Sequence, residues 1–272
     1  MVTGANTGIG RVTAEVLAKR GARVRLACRT PERAQPVIDA IRSAGGEAEL
    51  VQMDLADFAS VRAGADAILA RDEPLHLLIN NAGLGGAHGL TKDGFELTFG
   101  TNHLGHFLLT MLLMKRIRAS APARIVNVAS TGHYRAKTID FDAQRRPTAS
   151  STGLPEYFVS KLANVLFTKE LARRIAGNGV HNYSLHPGAI ASDVWRHVVW
   201  PIRPLLTMFM KSNEEGAKTT LYCATSPEVA EHDGRYYDDC REKKPNPVSE
   251  DLALAGRLWE KSAEWTGADL VT

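Results

Sequence analysis

Tyr157 and Lys161 stand four residues apart, the spacing that places two side chains on one face of a helix. An ammonium beside a phenol favours phenolate and lowers the phenol's pKa, so the pair could serve as an acid–base near neutral pH. Alone the pair says little, because tyrosine and lysine at this spacing are more often an ordinary amphipathic surface pair. Three further segments bear on it: Asn80-Asn81-Ala82-Gly83, the run Ile125–Ser130 ending in a serine, and His186-Pro187-Gly188. Each is expected to end a parallel strand, at the carboxyl edge where open α/β sheets bind ligands. Thr3-Gly4-Ala5-Asn6-Thr7-Gly8-Ile9-Gly10 belongs at the same edge, between a first strand and a helix. Glycines there let the backbone turn tightly and approach a pyrophosphate, which the positive end of the helix attracts. Glycine spacing by itself leaves a turn without a ligand equally open.

The end of the second strand would meet the adenine ribose. An acid there would hydrogen-bond the ribose 2′-hydroxyl and favour NAD. The sequence offers Cys28-Arg29-Thr30 instead, with Arg11 just after the last glycine. Guanidinium forks suit a 2′-phosphate, so NADP(H) is favoured over NAD(H). Glu32, the nearest acid, keeps NAD(H) open, and the alternative for both arginines is solvated surface charge.

The elements that must position these residues alternate along the chain. Helices are expected over Ile9–Arg20, Pro31–Ala44, Phe58–Arg71 (with Asp57 as N-cap), Gly94–Ser120, Glu156–Ile175, Glu214–Ala224 and Asp251–Trp265. Strands are expected over Arg23–Cys28, Ala48–Met53, Leu75–Ile79, Arg124–Val128, Val180–Leu185 and, last, Gly234–Tyr237. Gln144–Gly153 and Arg241–Pro247 read as surface loops. Strands separated by helices pair in parallel through right-handed crossovers. The expectation is an α/β chain, one single-domain Rossmann fold over residues 1–272. Its doubly wound, mostly parallel sheet carries helices on both faces. Only Met1 and Val2 precede the glycine turn, so the first strand reads as truncated and the folded protein is expected to begin upstream.

Composition excludes other classes. Of 272 residues, 44% are hydrophobic and 23% charged, which is globular rather than disordered. A net charge of +3 is too small to mark a nucleic-acid binder. No apolar run reaches 18 residues, so no membrane span is expected. Cys28, Cys223 and Cys240 cannot form a disulfide framework and show no metal spacing, which points to a reducing compartment. With no signal-peptide pattern at the start, a cytoplasmic location is expected. His103, His106, His181 and His186 form no metal-ligand cluster and read as packing residues. Cys240 reads as a small buried hydrophobe rather than a reactive thiol.

Taken together, Thr3–Gly10, Asp54-Leu55, Asn80–Gly83, Asn102, Ser130, Tyr157 with Lys161, and Pro187-Gly188 resemble the short-chain dehydrogenase/reductase family over essentially the whole chain, in order and spacing. Ala27-Cys28-Arg29, Thr101–Phe107, Ser160–Phe167 and His186-Pro187-Gly188 are most similar to its retinol dehydrogenase-like branch. The resemblance implies that Tyr157 exchanges a proton with the substrate oxygen as hydride moves to or from the nicotinamide. It implies that Lys161 lowers the tyrosine pKa and holds the nicotinamide ribose, and that Ser130 hydrogen-bonds the substrate oxygen. Asn102 would hold a relay water through a local helix distortion. On the cofactor it implies contacts from Gly4, Asn6, Thr7, Gly8, Ile9, Gly10, Arg11 and Arg29. Asp54 and Leu55 would lie on the adenine side, and Asn81, Ala82 and Gly83 at the ribose. Pro187, Gly188 and Ile190 would meet the carboxamide, and Ser192 the pyrophosphate. A homodimer or homotetramer is expected, built on the Asn102–Ile117 and Tyr157 helices. The membrane-anchoring leader of animal retinol dehydrogenases has no counterpart here, so membrane attachment is not carried over. The apolar stretch between Ala189 and Lys211 would cover a small apolar alcohol or carbonyl substrate, or else pack as core or subunit contact. The competing class is a dinucleotide-binding sensor or interaction module that turns over weakly or not at all.

Overall fold

The computed structural model describes residues 1–188 and 212–269. Among them eight strands form one sheet: β1 (Val2–Thr3), β2 (Arg23–Cys28), β3 (Glu47–Gln52), β4 (Leu77–Asn80), β5 (Ala123–Val128), β6 (Val180–His186), β7 (Arg235–Asp238) and β8 (Arg241–Glu242). Their order is β3-β2-β1-β4-β5-β6-β7-β8. All neighbours are parallel except β7 and β8, which pair antiparallel. The expected loop from Arg241 therefore begins as an edge strand. Its turn holds Asp239 and Cys240 at φ 51° and 57°, and Cys240 is half-buried rather than a core residue.

The central strands are apolar on both faces, as parallel strands under crossover helices must be. Leu78 and Ile125 point into one layer, Ile79 and Val126 into the other. One layer is closed by α1 (Gly8–Lys19), α2 (Pro31–Ser43) and a helix at Asn213–Thr225. The other is closed by α3 (Phe58–Leu69), a helix at Gly105–Ala119, one at Leu154–Ile175 and one at Leu252–Thr266. These last helices, with Asn213–Thr225 between them in sequence, are α4 (Gly105–Ala119), α5 (Leu154–Ile175), α6 (Asn213–Thr225) and α7 (Leu252–Thr266). Asp57 caps α3 as expected, its carboxylate accepting the N–H groups of Ala59 and Ser60.

Two expectations are corrected. The long helix does not start at Gly94. Residues 91–95 form a turn closed by the Thr91 N–H on the Phe95 carbonyl. Glu96 then caps a short helix, Leu97–Phe99, that leads through a π turn, Gly100–Leu104, into α4. Gln144, expected in a surface loop, is buried in a 3₁₀ turn. At the first strand, Val2 and Thr3 pair with Leu26 and Ala27 on one side and Val2 with Ile79 on the other. Met1 extends the ladder, its carbonyl accepting from the Ile79 N–H at 2.9 Å.

Strand order reverses direction between β1 and β4. The carboxyl ends of β1, β4, β5 and β6 therefore open on one crevice, the switch point where open α/β sheets bind ligands.

Candidate active site

A cleft of about 1000 Å³ runs along this edge. It begins at the glycine turn. Gly4 at φ +65° and Gly8 at φ +56° adopt the left-handed backbone that the reversal from β1 into α1 requires. At Gly10 a Cβ would lie 2.4 Å from the Gly4 carbonyl oxygen and 2.5 Å from Asn81 Nδ2, so only glycine lets α1 sit this close to β1 and the β4 end. Asn6, Thr7, Gly8, Ile9 and Gly10 all line the cleft, and the N-terminus of α1 points its backbone donors there.

At one end the walls are Cys28, Arg29 and Thr30 from β2 and Asp54 and Leu55 after β3. Arg29 lies 3.9 Å from Asp54 and is mostly exposed. Arg33, one turn into α2, lines the same end and was missed in the sequence, where nothing separates it from other surface arginines. Arg11 does not line the cleft. It lies on the outer face of α1 and pairs with Glu15 one turn on, so its assignment to the cofactor is not supported.

The middle of the cleft is built by Asn81, Ala82 and Gly83. A Cβ on Gly83 would stand 3.4 Å from both Lys161 Nζ and Asn102 Oδ1, an ordinary contact distance, so the β4 loop lies directly against the two side chains. Asn102 sits in the π turn, fully buried behind the cleft wall. Its Oδ1 accepts the Leu84 N–H at 2.8 Å, and its Nδ2 donates to the Leu84 carbonyl at 2.9 Å and to Ser160 Oγ at 3.0 Å. The expected helix distortion is thus present at Asn102.

At the far end stand Ser130, Tyr157 and Lys161, all buried and all lining the cleft. Ser130 follows β5 and its Oγ accepts the Gly132 N–H at 3.1 Å. Lys161 Nζ donates to the Val128 carbonyl at 2.9 Å and lies 5.6 Å from the centre of the Tyr157 ring. Burial pushes the Lys161 ammonium down to about 8. Burial also pushes the Tyr157 phenol up, opposed by its hydrogen bond with Ser130. In the protein by itself desolvation of the phenol prevails. Phe158, Thr131, Gly132 and Arg135 also line this end, and the Arg135 guanidinium stacks over the Phe158 ring at 5.7 Å. None of these four was singled out from the sequence, since only the fold brings the turn after Ser130 against α5.

Pro187 and Gly188 close the cleft after β6. Ile190, Ser192 and the apolar stretch Ala189–Lys211 lie outside the described residues.

Residues 1–139 match the family model described as short chain dehydrogenase. Retinol dehydrogenase 12 of Homo sapiens is 43% identical over 275 residues, covering 98% of this chain and 85% of that protein. Among solved structures, an uncharacterized protein from Mycobacterium Paratuberculosis has a TM-score of 0.79 at 32% identity, covering 99% of this chain and 93% of that one. A short chain dehydrogenase from Burkholderia cenocepacia J2315 in complex with NADP gives 0.70 at 25% identity, over 88% and 94%. A 3-ketoacyl-(acyl-carrier-protein) reductase from Brucella melitensis complexed with NADH gives 0.68 at 27%, over 87% and 93%.

Proposed function

The chain belongs to the short-chain dehydrogenase/reductase family, in its retinol dehydrogenase-like branch, and from that premise we propose that its cleft takes NADP(H) and a small apolar carbonyl compound or alcohol. It is an NAD(P)-dependent oxidoreductase acting on alcohol or carbonyl groups. The residues fit a dinucleotide: the positive-φ turn, the space that a Gly10 Cβ would fill and the helix N-terminus form a cradle for a pyrophosphate. Preference for NADP(H) is supported by Arg29 and Arg33, whose guanidinium groups can fork onto a 2′-phosphate.

When bound, the nicotinamide supplies or accepts the hydride. The chain's own residues do the rest. Ser130 Oγ accepts from Gly132 and shares a hydrogen bond with the Tyr157 phenol, so its hydroxyl can turn to donate to a substrate oxygen seated beside the two. Tyr157 gives that oxygen a proton in reduction and takes it in oxidation. Lys161, fixed on the Val128 carbonyl, turns its remaining N–H groups to the cleft beside Gly83, where ribose hydroxyls would lie. Its charge also stabilises the phenolate formed when Tyr157 gives up its proton. Asn102 holds the Leu84 backbone and, through Ser160, the first turns of α5. The name of the human relative and the apolar stretch after Gly188 favour a retinoid-like, steroid or lipid carbonyl.

The observation that carries this reading is the meeting of Ser130, Tyr157 and Lys161 with the glycine turn in one cleft. A panel of retinal, medium-chain aldehydes and keto-steroids, assayed with NADPH and NADH, tests it. Turnover of at least one carbonyl, faster with NADPH, is expected. Faster turnover with NADH would remove the role given to Arg29 and Arg33. Dinucleotide binding without turnover of any carbonyl would return the protein to the sensor class.

A further inference from the structure

Three segments of the site meet at one side chain that the mechanism above does not use. His106 lies in the first turn of α4 and is buried. Its Nδ1 is 3.0 Å from the Asn102 carbonyl oxygen. A carbonyl can only accept, so Nδ1 carries the proton and Nε2 the lone pair. Nε2 is 2.9 Å from Thr3 Oγ1, so the Thr3 hydroxyl donates to it. The alternative acceptor for that hydroxyl, the Ile79 carbonyl, is 3.4 Å away. With its one proton committed, Thr3 Oγ1 accepts the N–H groups of Asn81 at 2.9 Å and Ala82 at 3.0 Å. Asn81 Nδ2 returns a bond of 2.8 Å to the Thr3 carbonyl. From Asn102 the chain of bonds continues through Nδ2 to Ser160 Oγ, whose hydroxyl donates to the Tyr157 carbonyl at 2.8 Å. The imidazole tautomer thus sets the direction of the Thr3 bond, and it ties the residue before the glycine turn to the Asn102 main chain, whose side chain reaches on to the tyrosine's helix. Burial, with the nearby Lys161 charge adding to it, pushes His106 down to about 4, so the ring stays neutral at working pH.

We propose that His106 is a positioning residue for the reaction: it fixes the spacing between the glycine turn and the Asn102 corner, so that the Asn81–Gly83 backbone and Lys161 reach the same cofactor ribose. The proposal rests on the reading of the cleft as the dinucleotide site. Packing alone does not account for the arrangement. A phenyl ring would fill the same space but leave the Thr3 hydroxyl and the Asn102 carbonyl each short of a buried partner.

The experiment compares His106→Phe, Thr3→Val and the double variant by dinucleotide titration and steady-state kinetics, each at a temperature well below its own Tm. His106→Phe should weaken dinucleotide binding by at least about tenfold and lower kcat, since two buried polar groups each lose a partner. The double variant should lose less than the product of the two single losses, because both substitutions break the same Thr3–His106 bond. Wild-type binding and turnover in His106→Phe, or losses that multiply in the double variant, would overturn the proposal. If His106→Phe does not fold, His106→Gln against His106→Met carries the same test. Glutamine keeps a donor and an acceptor and should stay within about threefold of wild type, while methionine should lose about tenfold. Equal behaviour of the two would overturn the proposal. Failure of the wild-type protein to bind any dinucleotide would refute the parent reading instead, so the two failures are distinguishable.

Discussion

At the scale of single residues, the chemistry turns on how far burial shifts Tyr157 and Lys161. Both are driven toward their neutral forms, the phenol by a raised pKa and the ammonium by one lowered to about 8. For carbonyl reduction the proton needed on Tyr157 is present throughout the neutral range, whereas the charge on Lys161 is lost as pH rises through about 8. The reductive kcat/KM should therefore be level near neutrality and fall above pH about 8, and Lys161→Arg, which stays charged, should abolish that limb. A profile from pH 6 to 10 with each protein checks this. A limb unchanged by Lys161→Arg would assign it to another group. The reacting residues were legible in the sequence because Tyr157, Lys161 and Ser130 sit at fixed offsets on a helix and a strand end. Charged residues were less so. Arg11 follows the last glycine directly, but 100° of helical rotation per residue carries it from the cleft to Glu15. Arg33 and Arg135 reach the cleft only through tertiary packing.

At the scale of elements, the site depends on close approaches more than on long contacts. A methyl group at position 10 would collide with the Gly4 carbonyl, which is backbone, and with the Asn81 side-chain amide, which is held on the Thr3 carbonyl at 2.8 Å. Gly10→Ala should therefore weaken dinucleotide binding by at least about tenfold and lower Tm by several degrees, read by titration and thermal melting. Unchanged affinity would mean that the turn is looser than its packing implies. Periodicity marks these elements well where one layer dictates burial, as in α1, β2 and α3. It fails at the π turn, because the residues there and in the first turns of α4 are buried on every face, polar ones included, and a change of helical register leaves no trace in such a pattern. The start at Leu97 depends on Glu96, whose carboxylate accepts the Phe99 N–H at 2.7 Å. Edge strand β8 was missed because two residues are too short for an alternation to show.

At the scale of the whole molecule, the catalytic helices are held from behind by α7. Trp259 meets the rings of Phe107 at 5.2 Å and Phe167 at 5.9 Å, and Ser262 Oγ lies 2.8 Å from His103 Nε2 in the π turn. That link between the last helix and Asn102's turn could not be read from sequence, because it spans 159 positions. Among the described residues no helix is long and apolar enough to cross a membrane. The same buried interior sets acid sensitivity. His106 is lowered from 6.5 to about 4 and His103 to about 3, both by burial. A depressed histidine is neutral in the folded state while the unfolded chain takes up the proton, so stability is full above about 6.5 and is lost as pH falls toward 4 and then 3. Urea midpoints should thus be lower at pH 5 than at pH 7.5, with His103→Phe reducing the difference. Equal midpoints at the two pH values would contradict the neutral, buried state of both rings.

The central claim is that Tyr157 moves the proton in a hydride-transfer site, and single-turnover loss of nicotinamide absorbance tests it most directly. Tyr157→Phe should bind NADPH as tightly as the wild type yet consume it about 10²–10⁴ times more slowly with an aldehyde that the wild type reduces. Turnover by Tyr157→Phe at the wild-type rate, with binding intact, would contradict the account.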